Sequence, residues 1–150
     1  MKNILAIYFV FGAIWTAIGA EDSADINALQ GTWTPVKAEL GGEPMSDEVL
    51  KTIILKLNKN EYEVTVAGNP DNGTWTLDSA AKPKGMTITG VKGPNAGKTF
   101  PAIYELKADT LRICYDLSGA KRPAEFKTSA GTKLYLIGRN SSRLRLMRDM

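Results

Sequence analysis

The chain has 150 residues, a formal net charge of +3, one cysteine and no histidine. Its length suffices for one domain with a modest core, and so small a net charge gives no reason to expect a nucleic-acid partner. The missing histidine excludes His-based catalytic triads, His general bases and His metal ligands, and the lone cysteine excludes an intrachain disulfide.

Residues 1–20 have the parts of a secretory signal peptide. A single positive charge at Lys2 precedes the uncharged stretch 4–18, which ends in small residues near Ala20. The uncharged stretch is shorter than the roughly 20 residues of a membrane-spanning helix. We therefore predict cleavage after Ala20 and an exported protein, periplasmic or secreted, with no stable membrane anchor after cleavage. An uncleaved anchor is the alternative.

Beyond residue 20 the sequence predicts short strands separated by turns, with almost no helix. Apolar and polar residues alternate with a period of two, which sends successive side chains to opposite faces of a strand. Ser46 is suited to cap one short helix, because acidic residues follow it where the helix dipole favours them. The predicted elements of the first half are a helical turn at 25–30, a strand at 31–40, the short helix near 46–52, strands around 53–57 and 62–66, a hairpin turn at Asn72-Gly73, and strands around 74–78 and 86–89.

The clearest β-hairpin lies at Phe100–Leu117, where two alternating runs flank a short polar turn at 107–110. The preceding Gly93–Thr99 is one residue too short between its glycines for a phosphate-binding loop, and a strand follows where a helix should begin. We therefore predict a hairpin loop there. The remaining predicted elements are a short strand after 122–126, a turn at 129–131, a last strand at 132–138, and a basic tail at 139–150 that is either solvated or an extra edge strand.

Evenly spaced short strands are typical of an antiparallel sandwich or an up-and-down barrel. We predict an all-β fold, an antiparallel up-and-down barrel of eight or nine strands in one domain at 21–138. Large side chains dominate its inner face, which favours a filled interior over a hollow one. The residues predicted to point inward are Leu55, Leu57, Tyr62, Val64, Trp75, Leu77, Met86, Ile88, Tyr104, Leu106, Leu111, Ile113, Tyr115, Leu134 and Leu136.

Gly31 and Trp33 have the spacing that opens the first strand of lipocalins and their relatives. In that family the Trp plugs the closed end of the barrel, and a basic residue near the last strand packs on it. The resemblance implies structural roles for Gly31 and Trp33, and cation–π packing on Trp33 by Arg139. Later lipocalin signatures are not evident, so the resemblance concerns the architecture.

Several motifs occur together beyond residue 20. They are Leu-x-Gly-x-Trp at 29–33, Asp-x-Gly-Thr at 71–74, Pro-Lys at 83–84, the run 102–115 with its Cys-Tyr pair, and Arg-Pro-x-x-Phe at 122–126. In this combination the chain resembles a family of small uncharacterised domains abundant in planctomycete bacteria. The resemblance implies a lipocalin-like barrel, usually exported, without an assigned activity. The tail at 139–150 runs past the family pattern.

An aromatic wall and one cation are predicted at the mouth of the barrel, formed by Tyr104, Tyr115 and Arg122. Such a group suits a small amphiphile with an anionic end. The alternative for Arg122 is a salt-bridged residue beside the turn-forming Pro123.

Cys114 is predicted to lie on the strand face opposite Ile113 and Tyr115. We assign it a structural role, because a reactive thiol would need an activating group such as histidine. Pro123 and Phe126 are assigned structural roles as well.

The acidic residues are scattered, and none forms a spaced pair suited to acid–base chemistry. We therefore predict a non-catalytic binding or interaction module without cofactor or metal. Its expected partner is a small hydrophobic or amphiphilic ligand. The alternative is a cell-envelope structural or inhibitor-like protein that binds another protein through its loops.

Overall fold

A computed structural model of the chain describes residues 20–142. The predicted signal peptide, except for Ala20, and the tail from residue 143 onward lie outside the described residues. Within 20–142, no helix is long and apolar enough to cross a membrane.

Nine strands and two helices make up the described chain. The predicted short helix is present and is capped by Ser46, whose side chain accepts a hydrogen bond from the backbone of Val49. The predicted helical turn at 25–30 is part of a longer helix. In chain order the elements are α1 (Ala20–Leu29), β1 (Gly31–Leu40), β2 (Glu43–Pro44), α2 (Asp47–Leu50), β3 (Ile53–Asn58), β4 (Glu61–Val66), β5 (Asn69–Asp78), β6 (Gly85–Lys92), β7 (Thr99–Lys107), β8 (Thr110–Asp116) and β9 (Leu134–Ser141).

The strands form a closed antiparallel barrel. From β3 to β9 each strand pairs with the next along the chain, while β1 pairs with both β3 and β9 and so closes the sheet. The two-residue β2 pairs only with the far end of β1, outside the ring of eight. The predicted up-and-down barrel and its hairpin at 100–117 are therefore confirmed.

Helix α1 covers one end of the barrel, which we call the closed end. The Asp22 carboxylate accepts hydrogen bonds from the backbone and hydroxyl of Ser79. Asp25 accepts from Lys84 Nζ at 2.8 Å and from the Tyr104 hydroxyl at 2.6 Å. The opposite end, which we call the open end, carries the turn at 67–68 and the β6–β7 loop at 93–98. The two ends of the barrel are thus built differently.

The segment 118–133, which we call the outer segment, contains no strand and crosses the outside of the barrel. The backbone carbonyl oxygen of Lys127 accepts a weak hydrogen bond from Cys114 Sγ at 3.8 Å, and the Arg112 guanidinium lies 4.0 Å from the centre of the Phe126 ring. Pro123 is buried in the same segment. The short strand predicted after 122–126 is therefore wrong, because these residues bond to the outer face of the sheet rather than extend it.

The turn predicted at Asn72-Gly73 is also wrong, because both residues lie inside β5. The chain reverses instead at Ala67 and Gly68, which have φ values of 50° and 81°. At Gly73 the register between β5 and β6 shifts, and a side chain there would overlap the carbonyl oxygen of Thr89. Gly73 is thus required for close approach of two strands rather than for a turn.

Candidate functional site

A partly open cavity of about 220 Å³ lies within the barrel. The expectation of a filled interior is therefore wrong for this part of the barrel, although a packed core fills the rest. Trp33, Trp75 and Tyr104 are buried in the core and do not line the cavity. The cavity is lined by Ile53, Leu55, Leu57, Tyr62, Val64, Val66, Asp71, Met86, Ile88, Asn95, Phe100, Ile113, Tyr115, Leu117, Tyr135 and Arg139.

The face of β9 that points to the barrel interior is the opposite of the predicted one. Tyr135 and Ile137 face the interior, where the Tyr135 ring stacks on Tyr115 with ring centres 5.8 Å apart. Leu134 and Leu136, which were predicted to point inward, lie on the outer face. The reason is the pairing of β9 with β8, which places Tyr135 opposite Tyr115 and Leu136 opposite the outward-facing Cys114. A shift of one residue exchanges the two faces of a strand.

Because Tyr135 and Ile137 lie on the inner face of β9, Arg139 also faces the cavity. Strand β9 continues to Ser141, so Arg139 belongs to the barrel wall and not to a tail. Its alternation with Tyr135 and Ile137 directs its side chain inward, where it lines the cavity and is 3% exposed. A cation therefore lies in a cavity whose walls are largely apolar.

The guanidinium of Arg139 is short of hydrogen-bond partners. Its Nε and Nη1 atoms are buried and have none, and no ion pair to Arg139 occurs within residues 20–142. Burial lowers its pKa, an effect that the charge interaction with Tyr115 and Tyr135 opposes. Such a group lacks the partners that buried charges usually have in proteins.

Arg139 makes no cation–π contact with Trp33, although the lipocalin resemblance implied one. In the part of the chain that the structure describes, the one cation–π contact joins Arg112 to Phe126. Trp33 is anchored in another way, since its indole Nε1 donates a 2.8 Å hydrogen bond to the carbonyl oxygen of Leu29 at the end of α1. Trp33 thus lies at the closed end, while Arg139 is free to face the cavity.

A second polar group lies at the rim of the cavity. The Asp71 carboxylate accepts hydrogen bonds from Asn95 Nδ2 at 2.7 Å and from the Asn95 backbone at 3.2 Å. It also accepts a long bond of 3.5 Å from the Tyr62 hydroxyl. Burial, followed by the charge of Asp71, raises the pKa of Tyr62 to about 12, so this tyrosine stays neutral. The cluster fastens the β6–β7 loop to the barrel wall.

The three residues predicted to bind ligand are not brought together. Tyr115 lines the cavity. Tyr104 lies at the closed end, where burial and its hydrogen bond to Asp25 raise its pKa. Arg122 donates a 3.2 Å hydrogen bond to Thr87, a residue on the outer face because Met86 beside it lines the cavity. The predicted mouth site is therefore wrong for Tyr104 and Arg122.

Two residues of the observed site were missed for different reasons. Asp71 belongs to the Asn-Pro-Asp-Asn-Gly stretch, whose composition is typical of a turn. Arg139 follows Gly138, where the last strand was expected to end. The alternation of Tyr135, Ile137 and Arg139 was the available signal, but Leu134 and Leu136 gave an equally apolar alternative.

Cys114 is buried on the outer face of β8, opposite the cavity-lining Ile113 and Tyr115. Burial raises the pKa of its thiol, which disfavours the reactive thiolate. Gly31 begins β1 with a φ of 121°, a conformation suited to glycine.

The cavity has one buried cation, one carboxylate that already accepts hydrogen bonds from the protein, and apolar walls. Such groups can bind a small molecule and orient it. Within residues 20–142, no group of three or more side chains is arranged to hold a metal ion. Comparison with known proteins finds no matching family model, no matching curated protein and no matching solved structure. The planctomycete resemblance remains a prediction.

Proposed function

We propose that this chain is a non-catalytic binding protein that holds one small hydrophobic or amphiphilic molecule inside its barrel. The observation that carries the proposal is the cavity of about 220 Å³, whose lining is almost entirely aliphatic and aromatic. Transfer of an apolar molecule from water to such apolar walls is favourable.

The size of the cavity limits the ligand. An apolar cavity of roughly 150 Å³ accommodates benzene, while pockets for drug-sized molecules measure roughly 300–1,000 Å³. A volume of about 220 Å³ lies between these values. The expected ligand is therefore a single ring with a short chain, or a short alkyl chain.

Neutral probes of that size test the proposal directly. Phenylpropanol and octanol should bind with a stoichiometry of one in isothermal titration calorimetry. A ligand that binds only the folded state adds about 2.7 kcal/mol of stability at a hundredfold excess over its Kd, so the melting temperature should rise.

A cavity-filling variant supplies the control. Val64→Phe places a ring in the cavity and should weaken binding of both probes at least about tenfold. Ile54→Phe makes a similar change on the outer face, where Ile54 is 40% exposed, and should leave binding unchanged. If neither probe binds to the parent chain, the alternative is favoured, which is a protein that binds another protein through its loops.

Export is the second part of the proposal. Lys2, the uncharged stretch 4–18 and the small residues near Ala20 support cleavage before Glu21 and a periplasmic or secreted location. N-terminal sequencing of the native protein should therefore begin at Glu21. Recovery of a cytosolic protein that still begins with Met1 would contradict the prediction.

A further inference from the structure

We propose that the ligand carries one carboxylate and that Arg139 is its charge partner inside the barrel. This inference rests on the proposed function, since it names the class of molecule that the cavity holds. The structural observation is the placement of an unpartnered, 97% buried guanidinium in the wall of an apolar chamber.

The absence of a protein partner for Arg139 is the first step of the argument. Buried charges in proteins are generally paired, because an isolated charge loses its hydration without compensation. Nε and Nη1 of Arg139 have no hydrogen-bond partner, although both are donors. A bound anion would supply the acceptors that the described chain does not.

The second charged residue that lines the cavity, Asp71, is not a charge partner of Arg139. Asp71 accepts its three hydrogen bonds from Asn95 and Tyr62, and it forms no ion pair with Arg139. Its negative charge also disfavours a ligand with a second anionic group. The cavity is therefore matched to a molecule with a single negative charge.

The shape of the guanidinium favours a carboxylate as that charge. Arginine offers planar N–H groups that match the two oxygens of a carboxylate, and such charge-assisted hydrogen bonds are stronger than neutral ones. The remaining walls, with Leu55, Val64 and Ile88 among them, are apolar and suit a hydrocarbon tail. The complementary ligand is a small hydrophobic carboxylic acid.

The position of Arg139 indicates how the acid lies. Arg139 pairs with Leu111 near the start of β8, towards the closed end, whereas Asn95 in the β6–β7 loop belongs to the open end. The carboxylate thus lies deep against β9, and the tail extends toward the open end.

Matched probes that differ only in the head group test the inference. Phenylpropanoate, phenylpropanol and phenylpropylamine, and the corresponding octyl series, are titrated calorimetrically into the whole chain at neutral pH. The acid should bind at least about tenfold more tightly than the alcohol, and the amine most weakly. In Arg139→Met the acid should lose this advantage, while the alcohol should keep its affinity within about threefold. Arg122→Met removes an arginine from the outer face and should keep the preference for the acid.

The outcomes separate this inference from the proposed function. If no probe binds, the cavity-binding function itself fails. If acid and alcohol bind equally, or if the acid advantage survives in Arg139→Met, the carboxylate inference is wrong and the binding function stands. Should Arg139→Met not fold, the Nε–H resonance of Arg139 in the parent chain provides the second measurement. It should shift with the acid and not with the alcohol, and an equal response to both would overturn the inference.

Discussion

Replacing Trp33 with alanine should lower the free energy of unfolding by about 3–5 kcal/mol, as truncation of a large core residue does. Trp33 is 2% exposed and belongs to the main core. Its indole N–H also donates to the Leu29 carbonyl oxygen, which joins the end of α1 to the first strand. The substitution therefore removes packing and leaves a buried carbonyl without its donor.

Urea denaturation followed by far-ultraviolet circular dichroism measures this loss. Trp33→Phe keeps most of the apolar volume but not the hydrogen bond, and we expect an intermediate loss of about 1–3 kcal/mol. Val36→Ala, at a position on the same strand that is 57% exposed, should change stability by less than about 0.5 kcal/mol. A loss below about 1 kcal/mol in Trp33→Ala would show that the closed end does not depend on this residue.

Replacing Arg139 with methionine should have the opposite effect and raise the free energy of unfolding of the ligand-free protein by about 1–4 kcal/mol. Methionine retains an unbranched apolar side chain and removes a buried charge that lacks partners. The gain should disappear when a tightly bound acid supplies the missing partner to the parent protein. Stability and binding thus make opposite demands on this position.

The control for this variant is Arg112→Met on the outer face of β8. Arg112 forms a 3.2 Å ion pair with Glu105 and lies over the Phe126 ring, and both partners are partly solvated. Its loss should lower stability by about 1 kcal/mol or less. If Arg139→Met instead lowers stability by more than about 1 kcal/mol, Arg139 has the structural role that the lipocalin resemblance implied.

Strand formation was determined by the sequence itself. The alternation in Phe100–Leu117 and in Ile53–Asn58 gives each strand one apolar face. A short polar segment between two such runs favours a β-hairpin. Ser46 followed by two acidic residues similarly determined the short helix α2. These features depend only on neighbours in the chain, and even spacing of the strands then favoured a barrel.

The candidate site was decided by tertiary structure. Leu134–Ile137 is apolar on both faces, so its pairing with β8 selected Tyr135 and Ile137 for the interior and brought Arg139 with them. The sequence around Gly73 is typical of a turn, although in the barrel Gly73 permits the close approach of β5 and β6. The cavity is lined by residues of strands that lie far apart in the chain, from Ile53 in β3 to Arg139 in β9, so it exists only once the barrel closes. Alternation specifies that a strand has two faces, but only the neighbouring strands decide which face is inside, because pairing and closure act between residues far apart in the chain.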